Sequence, residues 1–128
     1  MSAEGRTRIS LRWRDMDMLG HLNQSVYHEL LEEGRGALFS SLGDVGWFPF
    51  VLVRVELDYR SEIRHDHESV EVVVRVEKVG GKSVTLAHDI VLPDGTVAAS
   101  GSCVIVAWDP HARGSRELTD AERAALTA

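Results

Sequence analysis

The chain turns a corner at Arg12-Trp13-Arg14-Asp15-Met16-Asp17-Met18-Leu19-Gly20-His21-Leu22-Asn23, and this stretch decides how the rest of the fold is arranged. It places two aspartates, a glycine, a histidine and an asparagine between a segment with strand periodicity and one with helix periodicity. At such a corner the free N–H groups of the first helical turn and the positive end of the helix dipole hold an anion or an oxyanion. The stretch therefore indicates an active site.

The segments on either side of this corner differ in hydrophobic period. Before it, residues 7–14 alternate apolar and polar side chains, which predicts a strand. After it, apolar residues from Leu22 onward recur at spacings of three, four and seven, which predicts one long helix that ends near residue 42. Gly34 and Gly36 lie inside that helix, and glycines there indicate that another element passes close to the helix backbone.

The second half of the chain predicts four more strands. Alternating patterns cover residues 51–60, 70–77, 84–92 and 96–108, and tight turns separate the later ones. The order of strand, long helix and four strands predicts an α+β fold with a five-stranded antiparallel sheet wrapped around one helix. Small residues at 98–102 would let a helix backbone or a bound chain approach the last strand. A short helix is expected after Thr119.

Length and composition bound the function. Residues 1–128 fit a single domain. A net charge of −6 argues against nucleic acid as a partner, and no apolar run is long enough to cross a membrane. The N-terminal residues lack the apolar stretch of a signal peptide, and the single cysteine fits a reducing compartment, so a cytoplasmic location is expected.

One helix is too narrow to cover a five-stranded sheet with so many valines. The uncovered apolar surface predicts a second subunit, hence a homodimer or a homotetramer.

Several polar residues also have structural interpretations. Asp15 and Asp17 are both good turn formers, and Asn23 is well placed to cap the helix. The spacing in His65-Asp66-His67-Glu68 is a weak metal signal, so a solvated turn and no metal are predicted. Cys103 lies among small and apolar residues and is predicted to be a core or interface residue.

The corner resembles the signature of the 4-hydroxybenzoyl-CoA thioesterase-like family, which has the hotdog fold. The signature Asp-x-Asp-x-x-Gly-His-x-Asn-x-x-x-Tyr is matched by Asp15, Asp17, Gly20, His21, Asn23 and Tyr27. The similarity continues through Leu57-Asp58-Tyr59, the Gly81-Lys82-Ser83 turn and the Asp94-Gly95 hairpin. It implies a hotdog fold and hydrolysis of an acyl thioester.

The resemblance also implies roles for individual residues. Asp17 matches the carboxylate that does the chemistry in one branch of the family, and His21 matches a histidine of other branches. Tyr27 is the last residue of the signature, and the resemblance implies that it helps to position the substrate. The sequence alone indicates a packing residue instead. Lys82 and Ser83 are expected to contact coenzyme A.

Thioester hydrolysis suits these residue types. A thiolate leaves readily, so the site needs only an attacking group and a donor for the developing negative oxygen. An ionised aspartate attacks the carbonyl directly or deprotonates a water, with no resident cofactor. The backbone N–H groups of residues 20–23 are the expected oxyanion donors, with Gly20 allowing close approach and Leu22 and Asn23 contributing N–H groups.

Trp47, Phe48 and Phe50 follow the helix in an apolar loop and are expected to wall the acyl pocket. The sequence leaves coenzyme A and acyl-carrier protein open as carriers. Two alternatives remain beside the thioesterase: a hotdog hydratase or dehydratase, and a non-catalytic module that binds acyl thioesters.

Overall fold

The computed structural model of the protein describes residues 3–45 and 48–127. Its elements in chain order are the strand β1 (Glu4–Ser10), the helix α1 (Gln24–Ser40), the strands β2 (Phe50–Tyr59), β3 (Ser69–Val79), β4 (Ser83–Val91), β5 (Val97–Asp109) and β6 (Gly114–Ser115), and the helix α2 (Asp120–Thr127). Short 3-10 turns lie at Trp13–Asp15 and His65–His67.

The long strands form one antiparallel sheet in the order β1-β3-β4-β5-β2, and β6 pairs with the end of β5. The register aligns one row of side chains across the whole sheet, namely Thr7, Val72, Ile90, Ala99 and Tyr59. The predicted α+β fold, with one long helix on a five-stranded antiparallel sheet, is confirmed. The two-residue β6 was not predicted.

The helix α1 packs its apolar face on the sheet. Its buried apolar residues are Val26, Tyr27, Leu30, Leu31, Leu38 and Phe39. A Cβ added at Gly34 would lie 2.5 Å from Val72 Cγ1, so the sheet does pass close to the helix there. A Cβ at Gly36 would meet no atom within 4 Å, so the same prediction is wrong for Gly36.

Two details of the predicted strands are corrected. β1 ends at Ser10 rather than at residue 14, because the Asp15 carboxylate binds the Arg12 N–H at 2.8 Å and its Nε at 3.0 Å and folds the chain into a 3-10 turn. In β5, a Cβ on Gly101 would lie 2.1 Å from the Glu56 carbonyl oxygen. The neighbouring strand β2 therefore requires the small residue there.

The C-terminal helix begins as expected. The Thr119 hydroxyl accepts a hydrogen bond from the Glu122 N–H at 3.1 Å, and a Glu122 carboxylate oxygen accepts one from the Thr119 N–H at 2.9 Å. This reciprocal pair is a capping box, and it confirms the predicted helix start.

The strand β2 is one of the two edge strands of the sheet. Within the described residues it pairs only with β5, and α1 packs mainly on β1 and β3. Leu52 and Tyr59 on β2 are consequently 42% and 50% exposed. Within the described residues, no helix is both long and apolar enough to cross a membrane.

Candidate active site

Asp17 lies in a turn that fixes one of its carboxylate oxygens. The Asp17 N–H donates to the His21 carbonyl at 2.8 Å, and the Gly20 N–H donates to the Asp17 carbonyl at 3.1 Å. Asp17 Oδ1 accepts hydrogen bonds from the N–H groups of Leu19 at 2.9 Å and His21 at 3.2 Å. Gly20 has a φ of +79°, a conformation that side chains disfavour, so glycine suits this turn.

The second oxygen of Asp17, Oδ2, accepts no hydrogen bond from any described residue. The turn therefore holds the carboxylate by one oxygen and leaves the other free to react. This is the arrangement that a nucleophile or a general base requires.

His21 faces a carboxylate that was not predicted. Its Nε2 lies 2.7 Å from Glu62 Oε1, and Glu62 also contacts Arg64 at 3.3 Å. The backbone around His21 pairs with Arg64 as an isolated β-bridge. The segment that follows β2 thus positions the imidazole.

Asn23 caps the start of α1, as predicted. Its side-chain Oδ1 accepts a hydrogen bond from the Ser25 N–H at 3.1 Å, while its own N–H donates to the Asp15 carbonyl at 2.7 Å. Asp15 is 3% exposed. Burial alone would raise the pKa of the Asp15 carboxyl, but hydrogen bonds from the Arg12 guanidinium and N–H outweigh it and hold that pKa below its usual value. Asp15 is therefore a structural residue of the corner.

The expected oxyanion donors are already engaged within the chain. The N–H groups of Gly20 and His21 serve the Asp17 turn, and those of Leu22 and Asn23 donate to Ile63 and Asp15 carbonyls at 2.7 Å each. Among the described residues, nothing accepts from the N–H of Gln24, the first residue of α1. The free donor at this helix start is therefore Gln24 rather than residues 20–23.

A hollow of about 580 Å³, here called the inner hollow, lies beside Asp17. It is lined by Asp17, His21, Leu22, Gln24, Tyr27, Tyr59, Arg60, Ser61 and Glu62. The rings of Tyr27 and Tyr59 meet edge to face with centroids 4.9 Å apart. Burial, together with the negative charges that Tyr59 and Asp17 can carry, raises the pKa of the Tyr27 hydroxyl, so it stays protonated. The hollow joins Asp17, His21, Gln24 and Tyr27 at one place.

Lys82 and Ser83 lie at the other end of the sheet. Lys82 is in the turn from β3 to β4 and Ser83 begins β4, whereas the corner is tied to the start of β3 by the hydrogen bond from the Leu11 N–H to the Glu68 carbonyl. The eleven residues of β3 span roughly 35 Å. Within a single chain Lys82 and Ser83 therefore lie far from Asp17, and their contact with coenzyme A stays a prediction.

Two of the predicted acyl-pocket aromatics, Phe48 and Phe50, are also distant from Asp17. Phe48 is 5% exposed and packs edge-on against Phe39 at 5.1 Å beneath the Arg116 guanidinium, so it is a core residue of the chain. Phe50 stacks on Phe39 at 4.8 Å and starts β2, the end of that strand opposite Tyr59. Trp47 lies outside the described residues.

The remaining polar residues singled out in the sequence are not at the site. Cys103 is 1% exposed in the core, as predicted, and burial raises the pKa of its thiol. The segment from His65 to His67 is a mostly exposed turn. Within residues 3–45 and 48–127, no group of three or more His, Cys, Asp or Glu side chains is arranged to hold a metal ion.

Sequence reasoning missed Glu62, Tyr59 as a ring partner of Tyr27, and the Gln24 N–H. No local sequence pattern indicates the contact between Glu62 and His21, because the fold of the segment after β2 brings the two together. Gln24 had one: Asn23 was expected to cap the helix, and the next residue then has a free N–H.

Comparison with known proteins places this geometry in a family. The sequence profile of the thioesterase-like superfamily matches residues 11–126, which include the whole corner, α1 and the strands β2 to β6. The chain belongs to the thioesterase-like superfamily. Over 110 residues it is 27% identical to the long-chain acyl-CoA thioesterase FadM of Escherichia coli, a match that covers 81% of this chain and 83% of FadM.

Solved structures of thioesterases have the same fold. A predicted thioesterase from Bacillus stearothermophilus is 26% identical with a TM-score of 0.86, and the match covers 97% of this chain and 94% of that one. A thioesterase from Thermus thermophilus, solved with coenzyme A and zinc, is 31% identical with a TM-score of 0.85, covering 97% and 98%. The hotdog fold implied by the sequence resemblance is thereby confirmed.

Proposed function

We propose that the chain is an acyl-CoA thioesterase that hydrolyses an acyl thioester to a free acid and a thiol. The observation that carries the proposal is the carboxylate of Asp17, which has one oxygen without a described hydrogen-bond donor and lines the inner hollow together with Gln24, the first residue of α1. The likeness to FadM and to the coenzyme A-bound thioesterase supports the substrate class.

Asp17 starts the reaction in either of two ways. As a nucleophile, Oδ2 attacks the thioester carbon, the C–S bond breaks, the thiolate leaves and takes up a proton from water, and water then hydrolyses the mixed anhydride. As a general base, Asp17 takes a proton from a water that attacks the same carbon, and the thiolate leaves with that proton. Neither route needs a resident cofactor.

The N–H of Gln24 is the proposed oxyanion donor. It is the first N–H of α1 and lies at the positive end of the helix dipole. A donor of this kind contributes roughly 3–4 kcal/mol to the transition state in other enzymes. His21, held by Glu62, orients the thioester or the attacking water, and Tyr27 bounds the hollow with its protonated hydroxyl.

We further propose that the working form is at least a homodimer, joined along β2. That strand offers an unpaired edge and exposed apolar side chains, which a second copy would cover. An antiparallel pairing of two β2 strands brings the Phe50 end of one copy to the Tyr59 end of the other. It also brings the partner's Lys82 and Ser83 nearer to Asp17, so their expected role in binding coenzyme A becomes geometrically reasonable only across the dimer.

A panel of acyl-CoAs tests the activity. Short, long and aromatic acyl-CoAs are incubated with a thiol-trapping dye, and an enoyl-CoA is followed for hydration in parallel. Thiol release with no change in enoyl absorbance is the expected result. Enoyl hydration without thiol release would mean a hydratase, and binding without turnover would mean a non-catalytic module; either would overturn the proposal.

A further inference from the structure

A second hollow lies between the C-terminal half of α1 and the start of β2. It has a volume of about 560 Å³, and its walls include Arg35, Phe39, Phe50 and Leu52. We call it the arginine hollow. The stacked rings of Phe39 and Phe50, with centroids 4.8 Å apart, give it an apolar wall, and Arg35 gives it a positive charge. This combination suits a ligand that is partly apolar and partly anionic.

Arg35 is a buried cation without a counter-charge. It is 6% exposed, and an arginine side chain keeps its proton in proteins. It forms no ion pair with any described residue, and its buried Nε has no hydrogen-bond partner among them. Removing a charge from water without pairing it costs free energy, so the hollow lacks an anion.

The polar groups around Arg35 do not balance its charge. The guanidinium lies near the Cys103 thiol, because it partly offsets the rise that burial causes in the pKa of that thiol. A neutral thiol is only a weak acceptor. Glu32 and Glu33 also line the hollow, but both are exposed and neither forms an ion pair with Arg35. Water screens their charges far more than that of the buried guanidinium.

A carboxylate is the anion that matches this site. Its two oxygens fit the planar fork of a guanidinium, and a hydrogen bond between ionised partners is about twice as strong as one between neutral groups. The apolar wall then favours a carboxylate that is attached to a hydrocarbon chain.

The position of the hollow relates it to the active site of a second copy. Within one chain it adjoins Phe50 and Leu52, whereas the inner hollow adjoins Tyr59, and the ten residues of β2 span roughly 33 Å. In the proposed dimer the Phe50 end of one copy lies beside the Tyr59 end of the other. The arginine hollow of one copy then adjoins the inner hollow of the other.

We propose that Arg35 binds a free carboxylate at the far end of the acyl group that the other copy holds at Asp17. The preferred substrates are then coenzyme A thioesters of dicarboxylic acids, with the methylene chain against Phe39 and Phe50. The proposal rests on the thioesterase function and on the dimer. It assigns to Arg35 the selection of the acyl group.

Matched pairs of acyl-CoAs test this substrate class. Hexanoyl-CoA is compared with adipoyl-CoA, and octanoyl-CoA with suberoyl-CoA, because the members of each pair have the same number of carbons. We expect the wild type to show the higher kcat/KM for the dicarboxylic member of at least one pair. Without a cation in the acyl site the opposite order is expected, since the second carboxylate would lose its water without gaining a partner.

Arg35→Met tests the residue, because methionine keeps much of the length and removes the charge. It should lower kcat/KM for the preferred dicarboxylic thioester about thirtyfold, the size of a lost hydrogen bond of about 2 kcal/mol between charged groups, mainly through KM. Hexanoyl-CoA and octanoyl-CoA should be cleaved as well as before, and Arg35→Lys should retain part of the preference. The control is Arg8→Met, which removes an exposed arginine from β1, the other edge strand, and should change nothing.

Mixed dimers test whether Arg35 acts across the subunit boundary. Asp17→Asn and Arg35→Met chains are co-expressed with different tags, and the dimer that carries both tags is purified. One of its two sites then combines an intact Asp17 with the intact Arg35 of the other chain. We expect this dimer to cleave the dicarboxylic thioester with about half the turnover of the wild type and with the KM of the wild type.

Three results would overturn the proposal. The first is a wild type that prefers the monocarboxylic thioester in every pair, which needs no variant to observe. The second is an equal loss on both substrate classes in Arg35→Met, or a melting temperature well below that of the wild type, since either would make the guanidinium a structural group. The third is a mixed dimer with the high KM of Arg35→Met. If the wild type cleaves no acyl-CoA at all, the thioesterase function itself fails, which is a different outcome.

Discussion

At the scale of single residues, the site depends on which polar atoms have partners and which do not. Asp17 Oδ1 accepts two backbone hydrogen bonds and Oδ2 accepts none from the described residues, so the carboxylate is both oriented and available. His88 on β4 also has one polar atom without a partner, but it is buried, with 1% of its surface exposed. Its Nε2 contacts the Glu56 carbonyl at 2.9 Å, while Nδ1 is buried without a partner.

His21→Ala tests the role of the imidazole. If His21 only orients the thioester or water, its removal should lower kcat/KM about tenfold, the loss of one hydrogen bond of roughly 1–1.5 kcal/mol. Steady-state kinetics on the best acyl-CoA measures this. A loss as large as that of an Asp17 variant would instead make His21 the base.

His88 should make the fold sensitive to mild acid. Burial lowers the pKa of His88, so the folded state prefers the neutral ring, whereas the unfolded chain takes up a proton near pH 6.5. The unfolded state therefore binds more protons below that pH, and the free energy of unfolding should fall as the pH drops through about 6.5.

His88→Gln keeps an N–H donor for the Glu56 carbonyl but does not titrate in this range. Urea unfolding at pH 7.5 and 5.5 should show a smaller loss of stability in the variant than in the wild type. An equal loss in both proteins would mean that His88 is not the responsible group.

At the scale of elements, the two glycines of α1 have opposite surroundings. Gly34 faces the sheet, where Val72 and Val74 leave no room for a Cβ, whereas Gly36 is exposed. The hydrophobic period located the helix but gave both glycines the same interpretation. Only the packing of α1 across β3 separates them.

A matched pair of substitutions tests this packing. Gly34→Ala should destabilise the protein by about 1–3 kcal/mol, because the methyl group overpacks against Val72 and Val74. Gly36→Ala should stabilise it by up to about 1 kcal/mol through helix propensity. Chemical denaturation measures both, and a destabilising Gly36→Ala would show that the helix meets a further element there.

Much of the element order could be predicted from the sequence, and the exceptions have local causes. Period-two patterns located β2 to β5, and the motif located the corner with Asp17, His21 and Asn23, because those residues are adjacent in the chain. The end of β1 was misplaced because the Arg12–Asp15 contact overrides an alternating pattern. Glu62 and Tyr59 joined the site through the fold alone, and no local pattern indicates such contacts.

At the scale of the whole molecule, the open edge of β2 carries self-complementary charges. Arg54 and Glu56 flank Val55 on this strand and contact each other within the chain. If two β2 strands pair antiparallel with Val55 opposite its own copy, Arg54 of each faces Glu56 of the other. Two other registers are close to this one. They place Arg54 opposite Arg54 of the second copy, or Glu56 opposite Glu56, and such pairs of like charges are unfavourable.

Charge reversal tests this register and the dimer together. Glu56→Arg should weaken dimerisation at low ionic strength, since two arginines then face each other, and the double variant Arg54→Glu, Glu56→Arg should restore it. Sedimentation at micromolar concentration is the measurement. A folded and active monomer of the wild type would contradict the proposed dimer, and a double variant as weak as the single one would contradict the register.

Asp17→Asn tests the central claim most directly. The amide has nearly the size of the carboxylate and keeps an oxygen for the Leu19 and His21 N–H groups, so the turn should survive. It removes the charge, and with it both the nucleophile and the base. The measurement is acyl-CoA turnover alongside thermal melting: we predict a loss of about a thousandfold or more in kcat with an unchanged melting temperature. Near-normal turnover, or a loss that occurs only because the protein unfolds, would contradict the assignment of Asp17 as the reacting group.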